Sequence, residues 1–471
     1  MANAEAVSDQ GPDGVGALDM TISEIARVLN GERSGAKADA RVTGVAVDSR
    51  VAKPGDVFFA LVAERDGHEF VADAARAGVA AAVVSKDVEV DLPLVLVPDT
   101  LKALGDLARA HRLKHAASVV AVTGSVGKTT TKEMIAAVLG PKYTVLKSEA
   151  NFNNEIGLPM TLFQLSKSHS VVVLEMAMRG PGEIGWLADV ARPRIGVITN
   201  VGLSHIERLG SAEGIAVAKA ELLEYLPPDG LAVLNVDDGA FGFLRDKCPC
   251  RVVAFGESPS ADVRATNVRV LPDGRAAGVV VTPKGAAELE LAALGRHNIW
   301  NALAAIAVAL EMGVALEEAK AALEALNPPA MRSNVVKSPS GYVVVNDAYN
   351  AGPASMAGAL RTLGAMQGGR RIAVLGDMLE LGDQADAAHL DIGRIVAAEG
   401  IDELITVGRL GRRIADGAVE HGLSPARIRS SDNSSEVAAD LKGQLRPGDI
   451  VLVKGSRAVK MEIVVEGLLG E

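Results

Sequence analysis

Apolar and polar positions along the chain switch between two periods. RVTGVAVDSR, DVFFALV, AAAVVS and PLVLVP, within residues 41–98, are short branched runs that predict strands, and FVADAARAG between them has helical spacing. After the turn at 98–100, LKALGDLARAHRLKH repeats every three to four residues and predicts a helix. The alternation then resumes with SVVAV (118–122) as a buried strand and TTKEMIAAVL (130–139) as a helix stopped by Gly140 and Pro141. VVVLEMA, RIGVITNV, LAVLNVDD and RVVAFG continue it. A more polar segment of β character, VRATNVRVLPDGRAAGVVVTP, follows, and then the helix HNIWNALAAIAVALEMG. Paired prolines in NPPAM (327–331) break the pattern and predict a linker, beyond which YVVVNDA, RIAVLGD, DELITVG and DIVLVKG alternate with further helices.

Strands alternating with helices throughout predict an α/β protein. With 471 residues, the length suggests three domains at roughly 150 residues each. The breaks divide the chain into a frayed tail (1–18), a first domain (19–100), a central domain (101–328) and a last domain (329–471).

Composition narrows the class. Apolar residues at 48% and charged residues at 23% are globular values, and no apolar run approaches the roughly 20 residues of a membrane span. The first residues lack a basic start and an apolar middle, so no secretory leader and no membrane insertion are expected. A net charge of −11 with 3% aromatics disfavours a nucleic-acid surface, so an anionic ligand needs a local site. The two cysteines, in CPC (248–250), are too close for an easy disulfide and have no second Cys/His pair, which suits thiols in a reducing cytoplasm.

One stretch supplies such a local site. Between strand and helix, TGSVGKTT (123–130) lets backbone N–H groups converge at a helix N-terminus, where amides and helix dipole favour phosphate oxygens. Thr123, Gly124, Ser125, Val126, Gly127, Lys128, Thr129 and Thr130 form the candidate ATP loop. Lys128 reaches the β and γ phosphates, and the Thr129 hydroxyl is offered to Mg²⁺. The first glycine of the common phosphate loop is replaced by Val122. A glycine turn with a surface lysine is the plain alternative.

TGSVGKTT resembles the shortened loop of the Mur ligase family. The resemblance extends in order through DSRVAKPGDVFFAL, DGHEF, NFNNEIGLPMTL, TNVGLSHIERLGS, GRHNIWNALAA, MRSN, NDAYNAGPASM, LGDMLELG and KGSR. It covers the chain from about residue 20 to the end. It implies a first domain that grips a UDP-sugar and a central mononucleotide-binding domain with a mostly parallel sheet. It also implies a Rossmann-like last domain that closes over the nucleotide and brings the amine substrate. Among family members the motifs look most like those of enzymes that join D-alanyl-D-alanine to UDP-N-acetylmuramoyl-tripeptide, with ATP and two Mg²⁺ sites, in the cytoplasm and as monomers. They build peptidoglycan precursors.

Each site residue also has a plainer reading. Glu175 ends an apolar run, where an ionised carboxylate needs a partner. A buried ion pair is the alternative to the Mg²⁺ ligand that the resemblance implies. His205 follows another strand and would be structural or, by resemblance, a second ligand. Lys219, in GIAVAKAELLEYL, reads by itself as an exposed helical lysine. The resemblance implies that CO₂ carbamylates it into an anion for the second metal. Asn298 and Asn301 share a helix face and can offer amides to adenine, with N-capping the alternative for Asn298. Arg332 and Asp347 are surface charges or, by resemblance, nucleotide contacts across a cleft. AYNAGP stands where the family usually shows SYNANP, so Ala348 and Gly352 each lack a polar group. Ser49 and Arg50 match the uridine-nucleotide site, and Asn151, Asn153 and Asn154 the sugar-peptide site, or else form simple turns.

The implied chemistry activates a carboxylate by phosphorylation. The acyl phosphate is then attacked by the free amine of the dipeptide, with Lys128, Glu175, His205, Lys219, Arg332 and Asp347 as catalytic groups. Three other enzymes are weighed. The sister ligase for a diamino acid carries a DNPR-type motif absent here. A folate polyglutamate ligase fits the DSR and DGH motifs poorly. A phosphotransferase would release a phosphorylated product and form no hydroxamate. A non-catalytic ATP-binding scaffold would not need two metals.

Overall fold

The computed structural model describes residues 18–35, 39–149, 151–202 and 206–470. His205 and residues 1–17 lie outside the described residues. Leu18, read as tail, is a core residue at 1% exposure.

Strands form because branched runs can bury both faces of a parallel sheet under helices. The first sheet runs in space Glu32–Gly35, Pro93–Leu96, Ala81–Val84, Asp56–Phe59, Gly44–Ala46, with only its Glu32–Gly35 edge antiparallel.

The central sheet has nine strands in the order Gly285–Leu294, Arg275–Thr282, Val263–Val270, Arg251–Gly256, Leu231–Asn235, Ile195–Ile198, Ser118–Thr123, Val171–Glu175, Val145–Lys147. Its pairings are parallel from Val145–Lys147 as far as Val263–Val270, and the last two strands pair antiparallel. Alternate residues of Ser118–Thr123 go to opposite sides, Val119 and Ala121 into one core and Val120 and Val122 into the other. Helices Lys128–Leu139 and His297–Glu311 cover the second side. Thr100–Leu113, Glu183–Ala191 and Ala212–Glu224 cover the first.

Several elements differ from the sequence reading, among them the short strands Glu32–Gly35, Val145–Lys147, Asn334–Lys337 and Ile428–Ser431, which it did not assign. The loop helix begins at Lys128, two residues before the expected Thr130. Gly285–Leu294 is a strand where the sequence pattern assigned none. Its Ala, Glu and Leu are helix formers, and pairing with Arg275–Thr282 overrides that preference.

The last sheet runs Asn334–Lys337, Val343–Asp347, Ile450–Lys454, Arg371–Gly376, Glu403–Val407, Ile428–Ser431, parallel except at its first edge. Inserting Ile450–Lys454 between earlier strands sets Lys454 in register with Asp347 on one side and Leu375 on the other.

The units meet through packed seams. One apolar cluster continues from Ile22 and Phe59 through Leu104 and Leu107 of helix Thr100–Leu113 to Val119 and Leu187. That helix approaches so closely that a Cβ on Gly105 would lie 2.4 Å from Trp186 Cζ2. At the other seam Leu294 joins the core of the last unit, and the Gln367 N–H donates to the Pro272 carbonyl at 2.8 Å.

Candidate functional site

The turn between Ser118–Thr123 and Lys128–Leu139 is built on two glycines, with φ of 149° at Gly124 and 88° at Gly127. Gly127 cannot be larger, because its Cβ would sit 2.4 Å from Asn301 Oδ1. Ser125 and Val126 are latched to the segment after Ile195–Ile198. The Ser125 N–H donates to the Asn200 carbonyl at 3.0 Å and the Val126 N–H to Asn200 Oδ1 at 3.0 Å. Asn200 Nδ2 returns a bond to the Val126 carbonyl at 2.8 Å. The Ser125 hydroxyl receives the Gly202 N–H at 2.8 Å and lies 3.0 Å from the Gly202 carbonyl. First-turn amides have no intrahelical acceptor. The helix N-terminus at Lys128, Thr129 and Thr130 therefore presents open donors.

Lys128 folds back, its Nζ donating to the Gly124 carbonyl at 2.8 Å. Burial lowers its pKa, Glu175 opposes that shift, and Arg332 adds to it. Those neighbours bring three sequence-predicted residues into one electrostatic neighbourhood. Thr123 differs: it is 1% exposed and its hydroxyl donates to the Met176 carbonyl at 2.8 Å, which fastens the strand end.

Glu175, 2% exposed at the end of Val171–Glu175, receives hydrogen bonds from the Thr129 hydroxyl at 2.7 Å and from Asn153 Nδ2 at 2.8 Å. Both donors are neutral. Among the described residues no cation pairs directly with this carboxylate, so the ion-pair alternative is not what the fold builds. Asn154 turns to its own chain, accepting from the Gly157 N–H at 2.8 Å at the start of helix Gly157–Leu162. Asn151 is exposed.

Lys219 corrects the expectation of an exposed lysine, since it is 2% exposed on helix Ala212–Glu224. Among the described residues none makes a hydrogen bond or ion pair with its Nζ. Burial, and next the charge of Lys128, push its pKa well below the usual lysine range, with Asp238 opposing them. The amphipathic spacing of GIAVAKAELLEYL hides this, because the helix is covered on the side that holds Lys219.

Beside the loop opens a cavity of about 260 Å³, whose walls include Gly127, Asn200, Asp237, His297, Trp300 and Asn301. Asn298 stands behind Asn301. Its amide donates to the Leu294 carbonyl at 2.7 Å, so it is not an N-cap, and its Oδ1 accepts from Asn301 Nδ2 at 2.9 Å. The Trp300 indole donates to Asp237 at 3.0 Å. Sequence reasoning missed Asn200, Asp237, Trp300 and His297, although the polar residues closing TNV and NVDD at strand carboxyl ends were a usable signal.

From the last unit, Arg332 stacks 4.1 Å from the centre of the Tyr349 ring, between Met331 and Ser333 with left-handed φ of 58° and 56°. Asp347 is no ordinary surface charge. Lys454 Nζ pairs with it at 2.6 Å, the two side chains being 4% and 14% exposed, and the Ser333 N–H donates to it at 3.1 Å. Lys454 was part of the KGSR motif but was not singled out. Ala348 is fully buried, and a Cβ on Gly352 would meet nothing within 4 Å. In the first unit Asp48 accepts a two-pronged contact from Arg50, and Ser49 sits in that turn.

Among the described residues no three His, Cys, Asp or Glu side chains cluster as a metal cage. The buried Glu175 carboxylate with the Thr129 hydroxyl 2.7 Å away and only neutral donors on it is nonetheless a donor set that suits a divalent cation.

Known proteins resemble this chain over nearly its full length. The Mur ligase middle domain matches residues 122–309, and the Mur ligase, glutamate ligase domain matches residues 331–457. The UDP-N-acetylmuramoyl-tripeptide--D-alanyl-D-alanine ligase of Bacillus subtilis is 38% identical over 95% of this chain and 98% of its own length. A crystal structure of MurF from Acinetobacter baumannii superposes with a TM-score of 0.90 at 31% identity, covering 97% of this chain and all of that one. MurF from Thermotoga maritima in complex with ADP gives 0.81 at 30% identity, covering 91% and 97%.

Proposed function

The chain belongs to the Mur ligase family, and from that membership we propose that it joins D-alanyl-D-alanine to UDP-N-acetylmuramoyl-tripeptide. It is an ATP-dependent ligase of peptidoglycan precursor synthesis, giving UDP-N-acetylmuramoyl-pentapeptide, ADP and phosphate. The observation that carries this reading is the open helix N-terminus at Lys128–Thr130, set against buried Glu175 at the carboxyl end of Val171–Glu175, with buried Lys219 on helix Ala212–Glu224.

A carboxylate in water has no leaving group. Its oxygen attacks the γ-phosphorus of ATP, the bond to ADP breaks, and an acyl phosphate forms. The loop amides and Lys128 hold the phosphate chain in line for that attack, Lys128 swinging from the Gly124 carbonyl to the phosphate oxygens. Asn301 and the cavity beside it take the adenine, and Asn298 fixes the Asn301 amide. Arg332 and Asp347 approach the nucleotide from the last unit, with Lys454 fixing Asp347. Thr129, Glu175, His205 and carbamylated Lys219 would hold two Mg²⁺ ions, which when bound neutralise charge on the transferring phosphoryl group. The low basicity of Lys219 supports its modification, because the neutral amine is the form that adds to CO₂. Ser49 and Arg50 grip the uridine nucleotide, and Asn151, Asn153 and Asn154 border the sugar-peptide.

The dipeptide's free amine then attacks the acyl carbon, and phosphate leaves from the tetrahedral adduct. Because water competes for the acyl phosphate, three units divide the work: residues 19–100 hold UDP, 101–328 hold ATP, and 329–471 close with the dipeptide. The reaction is assigned to the cytoplasm and to a single chain. The free thiols Cys248 and Cys250 suit that compartment, and no described helix is long and apolar enough to cross a membrane.

The test is release of ADP and phosphate with UDP-N-acetylmuramoyl-tripeptide, with and without D-alanyl-D-alanine. Turnover should require the dipeptide, and hydroxylamine should trap a hydroxamate. Phosphate release indifferent to the dipeptide would refute the ligase reading.

A further inference from the structure

Lys132 is a buried charge that the mechanism above does not use. It lies one helical turn beyond Lys128, is 0% exposed, and is surrounded on its helix by Met134, Ile135 and Val138. A methionine would pack there without a charge to satisfy, so the ammonium group needs a reason.

Its partners supply one. Lys132 Nζ donates to the Ser148 carbonyl at 2.5 Å and lies 3.0 Å from Glu133 Oε1, and Glu133 pairs in turn with Lys147. Ser148 is 0% exposed, and its hydroxyl accepts the Glu175 N–H at 3.2 Å. Glu175 then reaches back to the same helix through the Thr129 hydroxyl. The links form a closed ring: helix to Ser148, Ser148 to Glu175, Glu175 to helix.

The ring sits where the sheet is weakest. Ser148 follows Val145–Lys147, an edge strand three residues long that among the described residues pairs only with Val171–Glu175. An edge strand this short has few ladder bonds to fix its end. The chain that leaves Ser148 also leads to Asn153, the second side-chain donor to Glu175. Among the described residues, two of the three side-chain bonds to Glu175 thus come from the segment that Lys132 anchors.

We propose that Lys132 is a positioning residue for the phosphate and metal site, holding Ser148 so that the Glu175 carboxylate stays opposite Thr129. The inference rests on the reading that Thr129 and Glu175 hold a divalent cation. It acts through Ser148 and Glu175, never on substrate.

The experiment measures Mn²⁺ binding to the ADP complex by electron paramagnetic resonance, and ADP binding without metal by calorimetry, in the full chain. Lys132→Met should weaken Mn²⁺ by about tenfold or more, the range for losing a group that orients a metal ligand, while metal-free ADP affinity stays within about threefold. Ser148→Ala, which keeps the carbonyl that Lys132 holds but removes the hydroxyl under Glu175, should weaken Mn²⁺ in the same direction. Glu133→Gln, which leaves the Ser148 bond, should not. A cooperatively melting Lys132→Met protein with parental Mn²⁺ affinity would overturn the proposal, as would equal losses of Mn²⁺ and ADP. Should Lys132→Met not fold, parental Mn²⁺ affinity in Ser148→Ala overturns it alone. A parent that binds no Mn²⁺ with ADP sinks the metal reading and this inference together, whereas a parent that binds beside unaffected variants sinks only this inference.

Discussion

Two lysines of the central unit carry opposite demands. On the proposed mechanism Lys128 meets phosphate and must stay cationic, and Lys219 must be neutral to take up CO₂. Burial lowers both pKa values, but Glu175 opposes the shift at Lys128, whereas at Lys219 the charge of Lys128 deepens it. Lys128→Ala should lower kcat by about 10²–10³-fold, the usual effect of removing one preorganised group that stabilises transition-state charge, with an unchanged melt. Lys219→Met should also abolish turnover, but its stability should rise. The folded-state pKa of Lys219 is depressed, so the unfolded chain binds the extra proton, and folding loses stability as pH falls below the ordinary lysine pKa. Removing the amine should raise Tm at pH 7 in CO₂-free buffer by about 2–4 °C, the shift expected for roughly 1 kcal/mol. An unchanged or lower Tm would count against an uncharged, unmodified amine.

Elements position these groups through their ends. The loop works because Gly127 adopts φ of 88° directly under Asn301. Gly127→Ala should cost roughly 1–3 kcal/mol of stability for the left-handed backbone alone, and ADP binding should fail besides. Denaturant unfolding and calorimetry separate the two effects. In the last unit the loop after strand Arg371–Gly376 is pinned by His389, which is 0% exposed. Its Nε2 accepts the Met378 N–H at 2.9 Å and its Nδ1 lies 2.6 Å from the Ala385 carbonyl. That pattern requires a neutral ring, and burial lowers its pKa against the pull of Asp377 and Asp386, with Arg409 assisting. The unfolded histidine takes a proton near its ordinary pKa while the folded one resists, so this contribution is complete above that value and is lost as pH falls. His389→Gln should flatten the fall in Tm between about pH 6.5 and pH 5 relative to the parent.

At the scale of the molecule, the proposed closure depends on units meeting. Arg332 of the last unit lowers the pKa of Lys128 in the central one, and Gly382 comes so close that its Cβ would lie 3.3 Å from Glu207 Cβ. This separation is near the Cβ–Cβ distance of a disulfide, about 3.5–4.5 Å. Oxidising the Glu207→Cys, Gly382→Cys double variant should lock the cleft and cut turnover by about tenfold or more, because release needs opening, and reductant should restore it. Full turnover in the oxidised protein would rule out a gating closure.

Much of this was legible in the chain. Hydrophobic periodicity marks most strands and helices because buried faces need apolar residues at 2.0- or 3.6-residue spacing, and the glycines before Lys128 mark a tight turn between strand and helix by local backbone geometry alone. What periodicity cannot carry is which polar residues meet. Strand Gly285–Leu294 was lost because its composition suits a helix until a neighbour pairs with it. Lys219 looked exposed because burial is a property of what packs on a helix, and Asp347 looked free because Lys454 lies 107 residues away. Local sequence sets most of the elements and the glycine turn ahead of Lys128. Which charges are buried or paired follows instead from packing, because those contacts join segments distant in the chain.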